Sequence, residues 1–440
     1  MKHIPIYDPG FMPIYPAYTA WMRTADTPFF IAVERENGYT YVHRMRTDSR
    51  DFEGSYRLVE RLVKALIWLA GGFRVGVSDE RIAARLRADY TAGGARGFDS
   101  DFMAGVYGRP FEAVYLKDEP TAKESHKKAG GAAKGCRIGF DAGGSDRKVS
   151  AVIDGKCVYS EEVVWHPKLN ADPQYHYDGI KAAMLTAAAK MPRVDAVGVS
   201  SAGIYVDNEV KVASLFLKVP KDAFDKKVRT MYIDIAKELD APLTVANDGD
   251  VSALAGATAL GDHSVLGLAF GTSEAAGYID GQGGLNGYLS ELAFVPADLN
   301  PGAMRDEWSG DLGCGVKYFS QDGVIKLAEA AGIALAQEAS PAEKLKSVQA
   351  LCEAGDKRAA RVFADIGVYL GHTLPFYAMF YPLKHVILYG RVNSGRGGDL
   401  ILEYAKKVVA DEYPHLKDVN IMLPDETLRR VGQAVAAASL

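Results

Sequence analysis

The first 120 residues alternate short apolar stretches with one long amphipathic stretch. Apolar side chains between Ser55 and Ala70 recur every three or four residues, which is typical of a helix with one buried face. Gly71 and Gly72 end that pattern. The predicted elements are a hairpin of strands 29–33 and 39–42, a helix over 55–70, a strand over 73–77, and a helix over 79–90 capped by Ser78. This pattern predicts a small α+β domain over residues 1–120.

Residues 121–135 show no apolar period and are rich in lysine and glycine, as a solvated linker is. From Cys136 onward, apolar strands alternate with helices. The predicted strands cover 137–140, 149–153, 194–199, 242–246, 265–270, 275–279, 385–389 and 419–423, and the main helices cover 223–239, 251–260 and 426–438. This alternation predicts an α/β architecture with a mainly parallel sheet after a hairpin start in each half, the halves covering 136–260 and 261–440.

A strand, a glycine loop and a second strand occur together around Asp141. The first strand ends at Asp141, the loop contains Gly143, Gly144 and Ser145, and Asp154-Gly155 predicts a tight turn after the second strand. Glycines can take positive φ and bring backbone N–H groups close to an anion, while a carboxylate can hold Mg²⁺ through water. From these residues alone, an ordinary turn is the alternative to a phosphate site.

The same arrangement occurs a second time, about 130 residues later. The strand over 265–270 leads into Gly271 and Thr272, a strand over 275–279 follows, and Asp280-Gly281 gives a second tight turn. Two such repeats facing each other would hold a polyphosphate from both sides. The internal duplication therefore favours a nucleotide-binding protein over a pair of unrelated turns.

Asn247 and Asp248 directly follow the predicted strand over 242–246. Ligand groups are expected at the carboxyl ends of strands in an α/β sheet. A carboxylate at that place can accept a proton from a hydroxyl group, and an adjacent amide can bind a second hydroxyl. An Asn-Asp-Gly turn that caps the next helix explains the same residues equally well, so the residues alone leave both interpretations open.

These motifs, in this order, resemble the duplicated actin-like ATPase fold and, more narrowly, the ROK family of bacterial sugar kinases and repressors. The resemblance covers about residues 136–440 and depends on the order of the segments, not on any single motif. The matching segments are Asp141–Ser145, Val197–Gly203, Asp207–Val210, Ala246–Asp248, Ser290–Phe294, Gly313–Tyr318 and Leu388–Val392.

The resemblance implies ATP-dependent phosphorylation of a hydroxyl group on a sugar or sugar derivative. Asp248 would be the general base, and Asp141 would position Mg²⁺. The implied substrate-binding residues are Asn247, Asp248, Glu291, Ser201 and Gly203. The implied nucleotide-binding residues are Asp141, Gly143, Gly144, Ser145, Gly271, Thr272, Gly390 and Arg391.

Several positions depart from the family pattern. Phe294 replaces a histidine and Val316 replaces a sugar-binding glutamate, so two polar partners for sugar hydroxyls are lost. Asp146 and Glu274 place acids beside the two glycine loops, where they would repel phosphate unless they turn away or bind metal. We expect no structural zinc, because only Cys314 remains of the ligands that the family's zinc form uses.

Composition narrows the alternatives. The 440 residues carry a formal net charge of −5, and residues 1–120 hold sixteen basic and sixteen acidic residues, so no positive surplus favours nucleic acid. A transcriptional repressor is therefore less expected than a kinase or a non-catalytic ligand-sensing protein on the same fold. The four cysteines are widely spaced, and no signal peptide or membrane span is evident. We expect a cytoplasmic protein that acts on a small sugar-like molecule, with a homodimer left open.

Overall fold

The computed structural model describes residues 1–129, 134–425 and 432–440. Contacts within the chain group these residues into two units. The first unit comprises residues 1–125, 268–276 and 287–423, and the second comprises 126–267, 277–286 and 424–440. The predicted linker over 121–135 lies partly outside the described residues, at 130–133.

The N-terminal part of the first unit is a four-stranded sheet with four helices. Its elements are α1 (Ile14–Thr24), β1 (Thr27–Glu34), β2 (Thr40–Thr47), α2 (Phe52–Leu69), β3 (Arg74–Val77), α3 (Glu80–Asp89), α4 (Gly97–Tyr107) and β4 (Glu112–Tyr115). The strand order is β2-β1-β3-β4, in which β1 is antiparallel to β2 and β3, while β3 is parallel to β4. The predicted hairpin, both helices and the strand over 73–77 are present.

The start of α3 differs from the prediction in its capping residue. The Asp79 carboxylate, not the Ser78 hydroxyl, accepts hydrogen bonds from the N–H groups of Arg81 and Ile82, at 2.9 and 3.0 Å. The Ser78 hydroxyl instead accepts a hydrogen bond from the N–H of Phe30 at 3.1 Å. Aspartate caps a helix as well as serine does, so Ser78 serves to join the helix start to β1.

Helix α2 joins the N-terminal sheet to residues 287–423 of the same unit. From Leu62 to its end, every residue of the helix is buried. The carbonyl groups of Trp68 and Leu69 accept hydrogen bonds from the N–H groups of Glu291 and Ser290, at 3.0 and 2.9 Å. An apolar helix of this length needs more cover than a small sheet supplies. The N-terminal residues are therefore packed into a larger unit.

The second unit is built around a five-stranded sheet. Its elements are β5 (Lys127–Lys128), β6 (Cys136–Ala142), β7 (Asp146–Ile153), β8 (Lys156–Val164), α5 (Pro173–Ala188), β9 (Ala196–Ser201), β10 (Ile204–Val206), β11 (Glu209–Val212), α6 (Lys221–Ala223), α7 (Met231–Glu238), β12 (Leu243–Asn247) and α8 (Asp248–Leu260). In the order β12-β9-β6-β7-β8, the first three strands are parallel and the last three are antiparallel. The sheet is thus mixed: it starts with the expected hairpin, which β8 extends by a second one, and β9 and β12 then run parallel to β6.

The predicted single helix over 223–239 is divided. A π-helical turn over Phe224–Val228 lies between α6 and α7. The N–H of Arg229 donates to the carbonyl of Phe224, five residues earlier. Such a turn widens the backbone without breaking the apolar face, which is why the hydrophobic period alone predicts one continuous helix.

The remaining elements complete both units. They are β13 (Val265–Phe270), β14 (Glu274–Ile279), β15 (Gly284–Leu285), α9 (Gln321–Ala330), α10 (Pro341–Glu353), α11 (Lys357–Tyr377), β16 (His385–Tyr389), α12 (Gly395–Glu412), β17 (Asn420–Met422) and α13 (Gln433–Ala437). Strands β14-β13-β16-β17 form a second sheet in that order, and β15 pairs with β5. The predicted last helix over 426–438 lies outside the described residues at 426–431. No helix in the described ranges is long and apolar enough to cross a membrane.

Helix α13 lies directly against the strands that carry the candidate site. A Cβ atom on Gly139 would lie 1.7 Å from the carbonyl oxygen of Ala434, and one on Gly198 would lie 1.7 Å from that of Ala437. Glycine is therefore the residue that permits this close approach. The contact fixes β6 and β9 from one side, two residues before Asp141 and Ser200.

Candidate active site

Asp141 lies near the carboxyl end of β6, beside Ser200 on the parallel strand β9. The Ser200 hydroxyl donates a hydrogen bond to Asp141 Oδ1 at 2.8 Å, and Ser200 is fully buried. Within the described residues, Asp141 Oδ2 has no hydrogen-bond partner. Burial raises the pKa of Asp141 to about 6, and the negative charge of Asp248 adds to the rise. One carboxylate oxygen is thus oriented by the protein, and the other remains for a ligand.

Asn247 and Asp248 lie where β12 ends and α8 begins. Asn247 caps the helix: its Oδ1 accepts from the N–H of Gly249 at 2.7 Å, and its Nδ2 donates to the carbonyl of Gly203 at 2.7 Å. Asp248 Oδ1 also accepts from the N–H of Gly249, at 3.1 Å. Burial raises the pKa of Asp248. The cap interpretation therefore holds for Asn247, and the same cap orients Asp248.

Sequence reasoning missed a third acid, Asp250, in the first turn of α8. Its Oδ1 accepts a hydrogen bond from the N–H of Tyr278 at 3.1 Å, and burial raises its pKa to about 7. A Cβ atom on Gly277 would lie 2.1 Å from the backbone carbon of Gly249, so β14 and α8 are in direct contact. Asp250 thus fastens the start of α8 to β14. The sequence did offer a signal for Asp250, because it is an acid only two residues after Asp248 at the same helix start.

The predicted phosphate loop of the second unit is held by Trp165. The indole N–H of Trp165 donates to the carbonyl of Gly143 at 2.8 Å, and its backbone N–H donates to the carbonyl of Ser145 at 3.1 Å. Neither Gly143 nor Gly144 has the left-handed φ that the sequence suggested. Gly143 is needed for space instead, since a Cβ atom there would lie 2.6 Å from the carbonyl oxygen of Asp146.

The acid that follows this loop is partly neutralised. The Ser145 hydroxyl donates to Asp146 Oδ2 at 3.0 Å, and Lys148 Nζ lies 3.6 Å from Asp146 Oδ1. The positive charge of Lys148 therefore offsets part of the negative charge of Asp146. Arg147 lies over the ring of Trp165 instead, with its guanidinium carbon 5.8 Å from the ring centroid.

Ser201 and Gly203 contact the residues around the site through buried packing and hydrogen bonds. Ser201 is fully buried, and its hydroxyl accepts a hydrogen bond from Tyr232 at 3.4 Å. Gly203 has φ of +142°, and a Cβ atom there would lie 2.3 Å from the carbonyl oxygen of Val212. Gly203 also accepts the Asn247 amide, as described above. The placement of Ser201 favours a structural role over direct substrate contact.

Register brings these residues of the second unit together. Asp141 is opposite Ser200 on β9, and Asn247 of β12 is opposite Ser201. The acids Asp141 and Asp248 therefore lie at the carboxyl ends of strands separated by β9 alone. A strand end in a parallel sheet is where α/β proteins place ligand groups.

In the first unit, two predicted nucleotide segments meet. Gly390 has φ of +93°, and a Cβ atom there would lie 2.3 Å from the carbonyl oxygen of Phe270, which immediately precedes Gly271. Thr272 and Arg391 are exposed on this edge. Asn393 was missed by the sequence analysis: it is 7% exposed, and its Oδ1 has no partner among the residues described. A buried acceptor without a donor is consistent with a ligand that donates to it.

Glu274 turns away from the second glycine loop. It is 3% exposed, and the Tyr377 hydroxyl donates to its Oε1 at 3.2 Å. A Cβ atom on Gly315 would lie 2.3 Å from its Oε2. Burial raises the pKa of Glu274 to about 8, so the side chain is mostly neutral at pH 7. Glu274 is therefore an interior acid of the first unit, and removing it is not expected to tighten nucleotide binding.

The segment that resembles a sugar-binding motif is packed against α2. Phe294 stacks on Trp68, with ring centroids 4.2 Å apart and planes 29° apart. Glu291 donates its N–H to Trp68, and the N–H of Phe294 donates to the carbonyl of Glu291 at 3.1 Å. Val316 is half-buried, and its carbonyl accepts the Ser320 hydroxyl at 2.6 Å. The two lost polar positions thus hold apolar side chains, and Phe294 serves the packing of α2.

The segment around Cys314 is held by an ion-pair network. Lys64 is fully buried; its Nζ lies 2.9 Å from Asp99 Oδ1 and 3.2 Å from Asp311 Oδ2. Burial raises the pKa of Cys314 to about 12, which keeps the thiol protonated. In the ranges that the structure describes, no three His, Cys, Asp or Glu side chains are grouped so as to hold a metal ion.

Comparison with solved structures identifies the class of fold. A ROK hexokinase from Thermus thermophilus superposes with a TM-score of 0.55 at 18% identity, over 69% of this chain and 97% of that chain. A putative sugar kinase from Cytophaga hutchinsonii gives a TM-score of 0.53 at 18% identity, over 69% and 98%. A ROK family transcriptional regulator, a homologue of the E. coli MLC protein, gives 0.54 at 15% identity, over 88% of each chain.

These likenesses define a mixed α/β protein. More particularly, the chain has the fold of ROK family proteins, which confirms the resemblance inferred from the order of the motifs. No known family profile matches the sequence, and no curated protein matches it. At identities of 15% to 18%, the comparisons establish the fold and leave the activity to the site itself.

Proposed function

We propose that the chain is an ATP-dependent kinase that phosphorylates a hydroxyl group on a sugar or sugar derivative. The observation that carries this proposal is the placement of Asp141, Ser200 and Asp248 at the carboxyl ends of adjacent strands in one unit. Phosphoryl transfer needs few protein groups beyond a metal-phosphate site and a base aligned with the acceptor. The fold shared with a ROK hexokinase and a putative sugar kinase supports the same class of reaction.

Asp248 is assigned as the general base. A carboxylate there would accept the proton of the acceptor hydroxyl, and its raised pKa brings its proton affinity closer to neutral pH. Asn247 donates one amide hydrogen to Gly203 and would offer its second amide hydrogen to another substrate hydroxyl. The N-terminal cap of α8 would hold both side chains in register with the substrate.

The residues present fit a magnesium-nucleotide complex. Asp141 would hold Mg²⁺ through water, because Ser200 orients one carboxylate oxygen and the other has no partner in the described part of the chain. Bound Mg²⁺ would neutralise charge on the transferred phosphoryl group. The residues assigned to the nucleotide phosphates are Gly143, Gly144 and Ser145 in the second unit, and Gly271, Thr272, Gly390 and Arg391 in the first.

Glu291 is the polar residue of the sugar-binding segment that the first unit keeps. With Phe294 and Val316 in place of polar residues, this segment offers fewer partners for sugar hydroxyls. We therefore expect weaker discrimination among sugars by their hydroxyl groups. We also expect the best substrate to present an apolar face or substituent to this segment.

The test is ATP-dependent phosphorylation by the full chain, with Mg²⁺ and a panel of hexoses, N-acetylated hexosamines and alkyl glycosides. A phosphorylated product should form with at least one acceptor, and Asp248→Asn should abolish most of that turnover. Asp222→Asn is the matched control, since Asp222 is an exposed acid elsewhere in the second unit. If the wild-type protein binds an acceptor but transfers no phosphoryl group, the kinase proposal fails.

A second candidate is a ligand-sensing protein without kinase activity. The match to the ROK transcriptional regulator covers 88% of the chain, against 69% for the two kinases compared, and so takes in more of this chain. The balanced charge of residues 1–120 does not favour DNA binding. Sugar binding without ATP turnover would support this candidate, and salt-dependent retention on DNA would test the regulator form directly.

A further inference from the structure

The first unit contains a cavity of about 530 Å³ that the proposed function does not use. It lies between the N-terminal helices α1, α2 and α3 and the segment over 298–312. Trp21 and Tyr56 contribute aromatic surface to its wall. None of the residues assigned to phosphoryl transfer lines it. The cavity is large enough for a small organic molecule.

Several charged side chains at the cavity wall form ion pairs with one another around Glu60 and Asp311. Arg61 Nη1 lies 2.9 Å from Asp311 Oδ2, and Arg61 Nε lies 2.6 Å from Glu60 Oε2. Arg96 contacts the same two acids, with its Nη1 2.6 Å from Asp311 Oδ1. Lys64 contacts Asp311 from the buried side. Both acids are therefore occupied by protein cations.

The other carboxylates in the wall are also engaged. Asp51 accepts the N–H of Gly54 at 2.8 Å as the cap of α2. Asp89 accepts the hydroxyl of Tyr56. Asp298 accepts the N–H of Met12 at 2.8 Å. Each of these three carboxylates therefore accepts a hydrogen bond from a protein donor.

Two arginines of the wall, Arg57 and Arg85, have guanidinium N–H groups that donate to no protein acceptor in the described ranges. Arg57 is exposed and has no hydrogen-bond or ion-pair partner in the described ranges. Arg85 uses its Nη1 for Glu53 at 2.7 Å and lies over the Tyr56 ring, 4.1 Å from the centroid, which leaves its other N–H groups without an acceptor among those residues. A wall with bonded acids and unused guanidinium donors suits an anion, because such bonds are charge-assisted and often bidentate.

We propose that this cavity binds a small hydroxylated anion, such as a sugar phosphate or a sugar acid. Its phosphoryl or carboxylate group would be held by Arg57 and Arg85. Its hydroxylated part would lie against Trp21 and Asn300, which combine an aromatic face with a polar amide. This site is separate in its residues from the proposed kinase site and does not depend on that proposal.

The test measures binding to the full chain by calorimetry in the absence of ATP, which keeps it independent of turnover. The probes are glucose 6-phosphate, gluconate, inorganic phosphate and neutral glucose. The variant is Arg57→Ala/Arg85→Ala, and the matched control is Arg81→Ala, an exposed arginine one turn earlier on α3 that does not line the cavity. Thermal unfolding of each variant checks that it folds.

We expect glucose 6-phosphate or gluconate to bind the wild type, the double variant to bind that anion at least tenfold more weakly, and glucose binding to be the same in both proteins. Arg81→Ala should bind as the wild type does. Preference for glucose 6-phosphate would identify a phosphoryl site, and preference for gluconate a carboxylate site. The proposal is overturned if no anion binds, or if the folded double variant binds the anions with wild-type affinity.

Discussion

The two units differ in how closely their residues follow the sugar-kinase pattern that the sequence resembles. In the second unit, Asp141, Asn247 and Asp248 occupy the positions of the pattern, and buried hydrogen bonds orient them. In the first unit, Phe294 and Val316 replace polar positions of the same pattern. Under the proposed function, the second unit carries the groups for proton and phosphate chemistry, and the first unit carries fewer groups for sugar hydroxyls than the pattern has.

The replaced position in the first unit has taken on a packing role. Phe294 stacks on Trp68 of α2, and the N–H groups of Ser290 and Glu291 bond the end of that helix. A histidine at 294 would place a polar ring against buried Trp68, which packs less well. The apolar side chain at position 294 and the packing of α2 against this segment are therefore parts of one structural arrangement.

The largest expected effect tests the role proposed for Asp248 in the second unit. Asp248→Asn keeps the shape of the side chain and its hydrogen bond to Gly249, but removes the proton acceptor. We expect kcat to fall by about 100- to 10,000-fold, with a much smaller change in acceptor affinity. Steady-state phosphorylation of the best acceptor measures this, with Asp222→Asn as control. Unchanged turnover would rule out Asp248 as the base.

The next effect concerns the network that fixes α2 in the first unit. Lys64→Met leaves Asp99 and Asp311 buried with fewer cations, and breaking a buried ion pair costs roughly 3–5 kcal/mol of unfolding free energy. Lys221→Met is the control in the second unit. Its pair with Asp225 is exposed to solvent and should contribute far less to stability than the buried network. Urea unfolding compares the two, and equal losses would show that the network does not hold α2.

A smaller effect tests whether Phe294 serves packing. Phe294→Ala removes the stack on Trp68 and should lower the unfolding free energy by roughly 2–3 kcal/mol, less than for a fully buried phenylalanine. Trp308→Ala is the control, because Trp308 is 69% exposed and lies 6.5 Å from the Phe294 ring. If Phe294→Ala changes acceptor affinity but not stability, the residue belongs to substrate recognition instead.

The sequence predicted the parts of the fold that follow from local periodicity. The strands that end near Asp141 and Asn247, and the turn that starts α8, were predicted within a few residues because apolar alternation and capping are local signals. Ser200 and Asp250 were missed because their partners, Asp141 and Tyr278, lie on other strands. Pairing across strands is a tertiary contact that one sequence does not encode locally.

The direction of Glu274 was equally beyond local reasoning. Its position beside Gly271 suggested a charge near phosphate, but the path of β14 turns the side chain towards Tyr377. Position along the chain does not specify which side of a strand faces the interior unless alternation is clear. The strand from Glu274 to Ile279 is mostly buried on both faces, so alternation gives no such guide.

A pH-dependent effect comes from Glu274 and tests whether that acid is interior. Its pKa is raised by burial to about 8 in the folded protein, from an ordinary value of 4.5. Between these values the folded state holds a proton that the unfolded state has lost, so stability is full below about pH 4.5 and falls as pH rises to about 8. The fall attributable to this group is about 1.4 kcal/mol per pH unit.

Glu274→Gln removes the ionisable carboxyl group, so the variant lacks that dependence of stability on pH. Relative to the wild type, the variant should gain stability steadily as the pH is raised from about 5 to about 8, and the difference should level off above that range. Urea unfolding of both proteins across this range measures the difference, in which the shared titrations of Asp141 and Asp250 cancel. Glu162→Gln is the control, since Glu162 is 60% exposed and should show no such divergence. Parallel stability curves for wild type and Glu274→Gln would mean that Glu274 is ionised in the folded protein. A negative charge beside the second glycine loop would then repel phosphate, as the sequence alone suggested.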